Sequence, residues 1–225
     1  MKLLALDTAT EALSVSLTIG DAQVDRYLEI DRGHSEQLLP LIDAVLTEGG
    51  IALGDLDAIA FGRGPGGFTG VRLAASVAQG LAFGAGVGVV PISNLAAVAE
   101  RARHEDPTLR EVLVVNDARM REVYWARYVL DGLLISMVGE ERVGPATAVS
   151  LPTGVRWAAA GRGLRAWPEL SERCTQAGAV IHPDWLPRAR EVLALARHEV
   201  AGGRVLDATQ ALPVYVRDRV AEPAP

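Results

Sequence analysis

Residues 2–30, KLLALDTATEALSVSLTIGDAQVDRYLEI, decide the fold. Residues 2–6 are a short apolar run that ends at Asp7, and Thr8-Ala9-Thr10-Glu11 supplies a polar turn. Residues 13–19 then alternate apolar and polar, the period of a half-buried strand. Gly20-Asp21 is a turn signal, and residues 24–30 return as a third strand. Three sequential strands joined by tight turns make an antiparallel meander. After it the period changes: Leu38, Leu41, Ile42, Val45 and Leu46 form the stripe of an amphipathic helix. Ser35 is its expected N-cap and Gly49-Gly50 its stop, with Pro40 near the first turn, where it costs least.

Working outward, residues 58–61 read as a buried strand, residues 62–67 as a glycine-rich loop, and residues from 68 or 69 to 83 as a helix. A strand over 86–90 and a helix over 94–103 follow. Antiparallel strands feeding two crossover units imply a mixed sheet with helices on both faces. The second half begins the same way, with strands at 112–115, 122–130, 133–143 and 157–160 and a helix at 188–201, but it is shorter. We expect an α/β protein with subdomains 1–105 and 106–205, divided near Glu105-Asp106-Pro107, and residues 206–225 packing back on the first. The element order resembles the ribonuclease-H-like half-domain of actin and sugar kinases. That resemblance implies an actin-like fold of two such halves, each a mixed sheet with flanking helices, the second one shortened.

Composition excludes several chemistries. Hydrophobic residues are 49% and charged residues 22% of the 225, the balance of a folded domain. Lys2 is the sole lysine, which removes Walker-A, Schiff-base and kinase-lysine mechanisms. The single cysteine, Cys174, removes disulfide frameworks and Cys-rich zinc sites. His34, His104, His182 and His198 are too far apart for HExxH-type pairs. Net charge is −6, all of it in residues 1–105, where 7 basic groups face 13 acidic ones; any nucleic-acid contact belongs to the neutral second half. No run reaches 18 apolar residues, so we expect a cytoplasmic chain with no membrane contact.

Residues 62–67 satisfy GxGxxG between a strand and a helix, but no carboxylate closes the following strand, so dinucleotide binding is not expected. What stays open is an anion-accepting helix N-terminus or simply a tight turn. In nucleotide-binding actin-like proteins the first hairpin carries an Asp and a Gly-Thr that meet phosphate and metal. Here Ala9 replaces the glycine, and the second hairpin, Asn116-Asp117-Ala118-Arg119, again has alanine after the aspartate; a Cβ hinders approach to phosphate. Asp7, Thr8, Thr10, Gly66, Gly67, Thr69 and Asp117 therefore read as vestigial phosphate loops. Trp125, Trp157, Trp167 and Trp185, with Arg156, Arg162 and Arg165 near two of them, have the composition of a single-strand RNA reader, or of a core.

Six segments in order resemble one family. They are Leu4-Ala5-Leu6-Asp7-Thr8-Ala9-Thr10, His34-Ser35-Glu36-Gln37-Leu38-Leu39-Pro40, residues 64–72 (GPGGFTGVR), Val90-Pro91-Ile92-Ser93, residues 117–124 (DARMREVY) and residues 213–218 (PVYVRD). The chain is similar to the TsaB, or YeaZ, family. The resemblance implies a non-catalytic dimerisation subunit for threonylcarbamoyladenosine formation on tRNA, working with the transferase TsaD and the ATPase TsaE. It implies ATP and metal on the partner subunits and no cofactor on this chain, a homodimer in isolation, and at most indirect tRNA contact. TsaD holds its metal with a His-x-x-x-His pair; here His34 is followed by Leu38 at the second position. The family interface, carried onto the first two helices, gives His34, Leu38, Leu41, Ile42, Val45, Val71, Ala74, Ala75 and Ala78 as candidate partner contacts. A stand-alone metallopeptidase and an actin-like kinase are the alternatives, each needing a site that these spacings do not supply.

Overall fold

Strand β1 (Lys2–Asp7) runs antiparallel to β2 (Ala12–Ile19), with Leu4 opposite Leu17, and β2 runs antiparallel to β3 (Ala22–Glu29). On its other side β1 pairs in parallel with β4 (Ala58–Gly62), and β4 with β5 (Gly88–Ile92), giving the order β3-β2-β1-β4-β5. The computed structural model from which this is taken describes residues 1–132 and 134–217. Strands β1, β2 and β4 are covered on both faces; β1 and β4 are near-continuously apolar, whereas β2 buries Ser14, Ser16 and Thr18 on one of them. Within this sheet, edge strand β3 is the largely exposed one.

Helices α1 (His34–Gly49) and α2 (Phe68–Ala85) cover one face of this sheet around Leu4, Leu6, Leu13, Leu17 and Phe61. The expected N-cap of α1 needs correction. Gly33, in the left-handed region at φ 93°, precedes the helix, while the Ser35 hydroxyl donates to Glu36 and caps no backbone N–H. Gly50 ends α1 in the same region at φ 64°, as a glycine stop requires.

The second sheet repeats the plan. Strands β6 (Glu111–Asp117), β7 (Val123–Asp131), β8 (Leu134–Gly144), β9 (Trp157–Ala160) and β10 (Val180–His182) take the order β10-β9-β6-β7-β8. Residue 133, expected to open the third strand of this half, lies outside the described residues. Where the first half has α1, this half has only the 3₁₀ turn Ala146–Ala148, which accounts for its shortening. The short helices α4 (Gly163–Ala166) and α5 (Pro168–Gln176) pack against this sheet through Leu164, Leu170 and Cys174.

The remaining two helices change sides. Leu95, Val98, Ala99 and Ala102 of α3 (Asn94–Glu105) join Val112, Val114 and Ala126 of the second sheet. Ala189, Val192, Leu193 and Ala196 of α6 (Ala189–Ala201) join Leu3, Ala5, Ala58 and Val90 of the first. The linear partition at residue 105 is corrected accordingly: each half lends a helix to the other's sheet. After α6 the chain returns to the first half, where Leu206 bridges Val89 and the Val214 N–H donates to the Arg63 carbonyl at 2.8 Å. Residues 218–225 of the expected tail lie outside the described residues.

Candidate functional site

The β1–β2 turn and the loop before α2 are built to touch. The Gly67 N–H donates to the Ala9 carbonyl at 2.7 Å, and Thr8 Oγ1 donates to the Gly70 carbonyl at 2.7 Å. A Cβ on Gly66 would stand 2.6 Å from the Ala9 oxygen, and one on Gly70 2.0 Å from the Thr8 oxygen. The glycines that suggested a phosphate loop thus serve a backbone-to-backbone contact. Thr10 continues it: its hydroxyl accepts from the Ala12 N–H, and its carbonyl accepts from His34 Nε2 at 3.0 Å.

Asp7 lies beneath this turn, fully buried. It accepts from the Ala9 N–H at 3.2 Å and from Asn94 Nδ2, while Asn94 Oδ1 accepts from the Gly64 N–H at 2.7 Å. Burial pushes the Asp7 carboxyl up to about 7, against two hydrogen bonds that favour the carboxylate. A Cβ on Gly62 would collide with Asp7 Oδ2 at 2.0 Å, so glycine at that position makes room for the pair.

Thr8, Thr10, Gly66, Gly67, Thr69 and Asp117 are brought together around one cleft of about 1020 Å³ between the halves. Asp117 is engaged locally, accepting from the Arg119 N–H at 2.9 Å and pairing with its guanidinium at 3.2 Å. Ion pairs span the cleft: Arg119 to Glu11 at 3.3 Å, Arg162 to Glu11 at 3.7 Å, and Arg162 to Glu29. Residues 119–121 all sit in the left-handed region, with φ of 59°, 51° and 61°, a conformation non-glycine residues rarely adopt in succession. Arg217 pins this turn through the Ala118 carbonyl and the Glu122 carboxylate. Nothing in the motif 117–124 signalled the strain, because Arg, Met and Arg are not turn residues.

The candidate partner contacts divide. Leu38, Ile42, Val45, Val71, Ala74, Ala75 and Ala78 are at most 3% exposed, so they are not surface contacts in this fold. Their apolar spacing marks the side of each helix that meets the sheet. Only His34 and Leu41 are partly exposed. The outward sides carry a different set: Leu39 at 53% and Phe83 at 78% exposed, half-buried Leu73 and Val77, and Gly80, beside which a Cβ would meet open space. Phe68, 53% exposed, adds an aromatic at the start of α2, with the Arg72 guanidinium 3.4 Å from its ring centroid. A helical projection turned away from the apolar stripe would have found Leu39, Val77, Gly80 and Phe83.

The RNA-reading pattern dissolves in part. Trp125 and Trp157 are core residues, and Arg156, Arg162 and Arg165 pair with Asp106, Glu29 and Asp184. Among the described residues no three His, Cys, Asp or Glu side chains converge as metal ligands, and no helix is long and apolar enough to cross a membrane.

Residues 28–177 match the family model described as "TsaD: tRNA N6-adenosine threonylcarbamoyltransferase". The chain is 40% identical to the tRNA threonylcarbamoyladenosine biosynthesis protein TsaB of Escherichia coli, over 98% of this chain and 96% of that protein. It superposes on YeaZ from Pseudomonas aeruginosa with a TM-score of 0.88 at 43% identity, covering 95% of this chain and 99% of that one. It is also similar to component A of (R)-2-hydroxyglutaryl-CoA dehydratase from Acidaminococcus fermentans, with a TM-score of 0.50 at 11% identity over 94% and 99% of the two chains. That distant likeness concerns the actin-like fold alone. With 40% identity to a curated relative and a TM-score of 0.88 to a solved one, each over nearly the full length of both chains, the chain belongs to the TsaB (YeaZ) family of tRNA threonylcarbamoyladenosine biosynthesis proteins.

Proposed function

We propose that this chain is a non-catalytic subunit that binds and supports a TsaD-type transferase through the outward faces of α1 and α2. The observation that carries the reading is that Leu39, Gly80 and Phe83 are exposed, with Val77 half-buried, on two helices whose inner faces are already covered. Gly80 would let a partner helix approach closely, and Phe83 offers a large anchor. The same face would pair two copies when the transferase is absent, so a homodimer is expected for the chain in isolation.

The cleft argues against chemistry on this chain. The Gly67 N–H is committed to the Ala9 carbonyl, and the Asp7 carboxyl is locked to Asn94 beneath the turn. Those residues do not fit a nucleotide phosphate or its metal, which supports placing ATP and metal on TsaD and TsaE. His34 is anchored to the Thr10 carbonyl.

The test is threonylcarbamoyl transfer to tRNA by the cognate TsaD and TsaE, with and without this protein. Transfer should require it, survive His34→Ala, and fail with Gly80→Arg or Phe83→Asp, which leave the fold intact. Ala78→Arg cannot serve, because it places a charge in the core. Full transfer without the chain, or unchanged assembly by Gly80→Arg and Phe83→Asp, would sink the reading.

A further inference from the structure

A second cavity, of about 510 Å³, opens where the chain crosses from β10 back to α6. It has the volume of a small-molecule site. Four arginines line it: Arg26 on β3, Arg101 on α3, and Arg188 and Arg190 at the start of α6. The Arg101 guanidinium lies 4.5 Å from the centre of the Trp185 ring, and Trp185 stacks on His182 at 3.8 Å. Tyr27, on β3, also lines it.

The carboxylates of the cavity are already engaged. Glu29 accepts from Tyr27 at 2.8 Å and pairs with Arg162, and Asp184 pairs with Arg165 at 3.2 Å. Asp25 accepts from Ser16 and, at 2.8 Å, from Gln23. Arg26 pairs with Glu48. Among the arginines, Arg188 is chelated by buried Glu191, whereas Arg101 makes one 3.3 Å bond to Glu105 and Arg190 only approaches Asp25 at 4.0 Å. Arg101 and Arg190 therefore keep most of their donors for something else. Burial, and then the neighbouring charge of Arg188, both pull the Arg101 guanidinium below its ordinary pKa. The fold holds two like charges together in a partly enclosed, aromatic-walled space, an arrangement that a bound anion would relieve.

We propose that this cavity binds a phosphate-bearing ligand of nucleoside monophosphate size, its phosphate facing Arg101, Arg188 and Arg190 and its ring toward Tyr27. Two sources share that chemistry, a free nucleotide and the phosphorylated end of an RNA. The site involves neither the outward face of α1 and α2 nor the cleft, so it stands or falls separately from the scaffold reading.

Isothermal titration of the full chain, alone, with AMP, adenosine, inorganic phosphate and a 5′-phosphorylated oligoribonucleotide tests it. A saturable isotherm is expected for AMP or the oligonucleotide, with inorganic phosphate competing and adenosine silent. Arg101→Gln and Arg190→Gln should each weaken binding about ten-fold, the size of one lost charge-assisted hydrogen bond. Arg190 is 59% exposed at its side chain, so its variant keeps the test valid if Arg101→Gln unfolds. Tighter binding of AMP identifies a free nucleotide as the source, and tighter binding of the oligonucleotide an RNA end; both uphold the site. No saturable binding of either probe, adenosine binding as well as AMP, or folded arginine variants binding as the parent does, overturns it.

Discussion

Raising the pH from 5 to 8 should destabilise this protein through one side chain, Asp7. Its carboxyl ionises at about 7 in the folded chain against an ordinary 3.8, because burial outweighs its two hydrogen bonds. A carboxyl that is harder to ionise when folded adds stability only while it keeps its proton. The contribution is complete below the unfolded-state value and is lost as the pH rises through 7. A difference of about 3 pKa units corresponds to about 4 kcal/mol in all, of which about 2–3 kcal/mol falls between pH 5 and 8. For a chain of this size that is a fall of about 5–10 °C in Tm. Thermal melts of the parent and Asp7→Asn at constant ionic strength check it. Asparagine does not titrate, so the variant should lose this part of the slope, while histidines contribute equally to both proteins. Its amide also points a donor toward Asn94 Nδ2, whose orientation is set by the Gly64 N–H, so the variant should be less stable by about 1–3 kcal/mol at pH 5. Parallel slopes in the two proteins would refute the reasoning.

Other expectations follow from the same contacts. Gly70→Ala places a Cβ 2.0 Å from the Thr8 oxygen and should cost about 1–3 kcal/mol in urea unfolding, whereas Gly80→Ala, in open space on the same helix, should be neutral or stabilise by up to about 1 kcal/mol. Cys174 is buried and burial pushes its thiol up to about 11, so Ellman's reagent at pH 8 should label it only as fast as the chain opens. Arg217→Ala removes the clamp on the left-handed turn, and tryptic cleavage after Arg119 or Arg121 should accelerate about ten-fold, read by mass spectrometry.

The first sheet was legible because its strands announce themselves locally. The strand over residues 13–19, the glycine stop at Gly50 and the stripe from Leu38 to Val45 all appear in the structure, although Ser14, Ser16 and Thr18 are buried as well, so the strand is covered on both faces rather than half-buried. α5 and β10 were missed: PELSERCTQ has only two buried positions, and three residues of strand carry no period. The helix exchange was illegible for a different reason. The apolar stripe of α3 says that it packs, not on which sheet, and that choice is made by contacts far apart in the chain. The same limit misdirected the interface reading, since Ala74, Ala75 and Ala78 advertise close packing equally well to an internal sheet or an external helix. The phosphate-loop remnants were read from residue types, but that Gly67 and Ala9 bond to each other depends on how two distant loops meet.

The exchange of α3 and α6 also bears on synthesis. The first sheet has all five strands once residue 92 is made, yet the face formed by Leu3, Ala5, Ala58 and Val90 receives most of its cover from residues 189–201. At ordinary translation rates the growing chain waits about 5–20 s between these events, with an apolar sheet face exposed at the ribosome. Rare codons between the two would lengthen that wait, so coding choice in the second half of the message should affect how much of the first half reaches its native state.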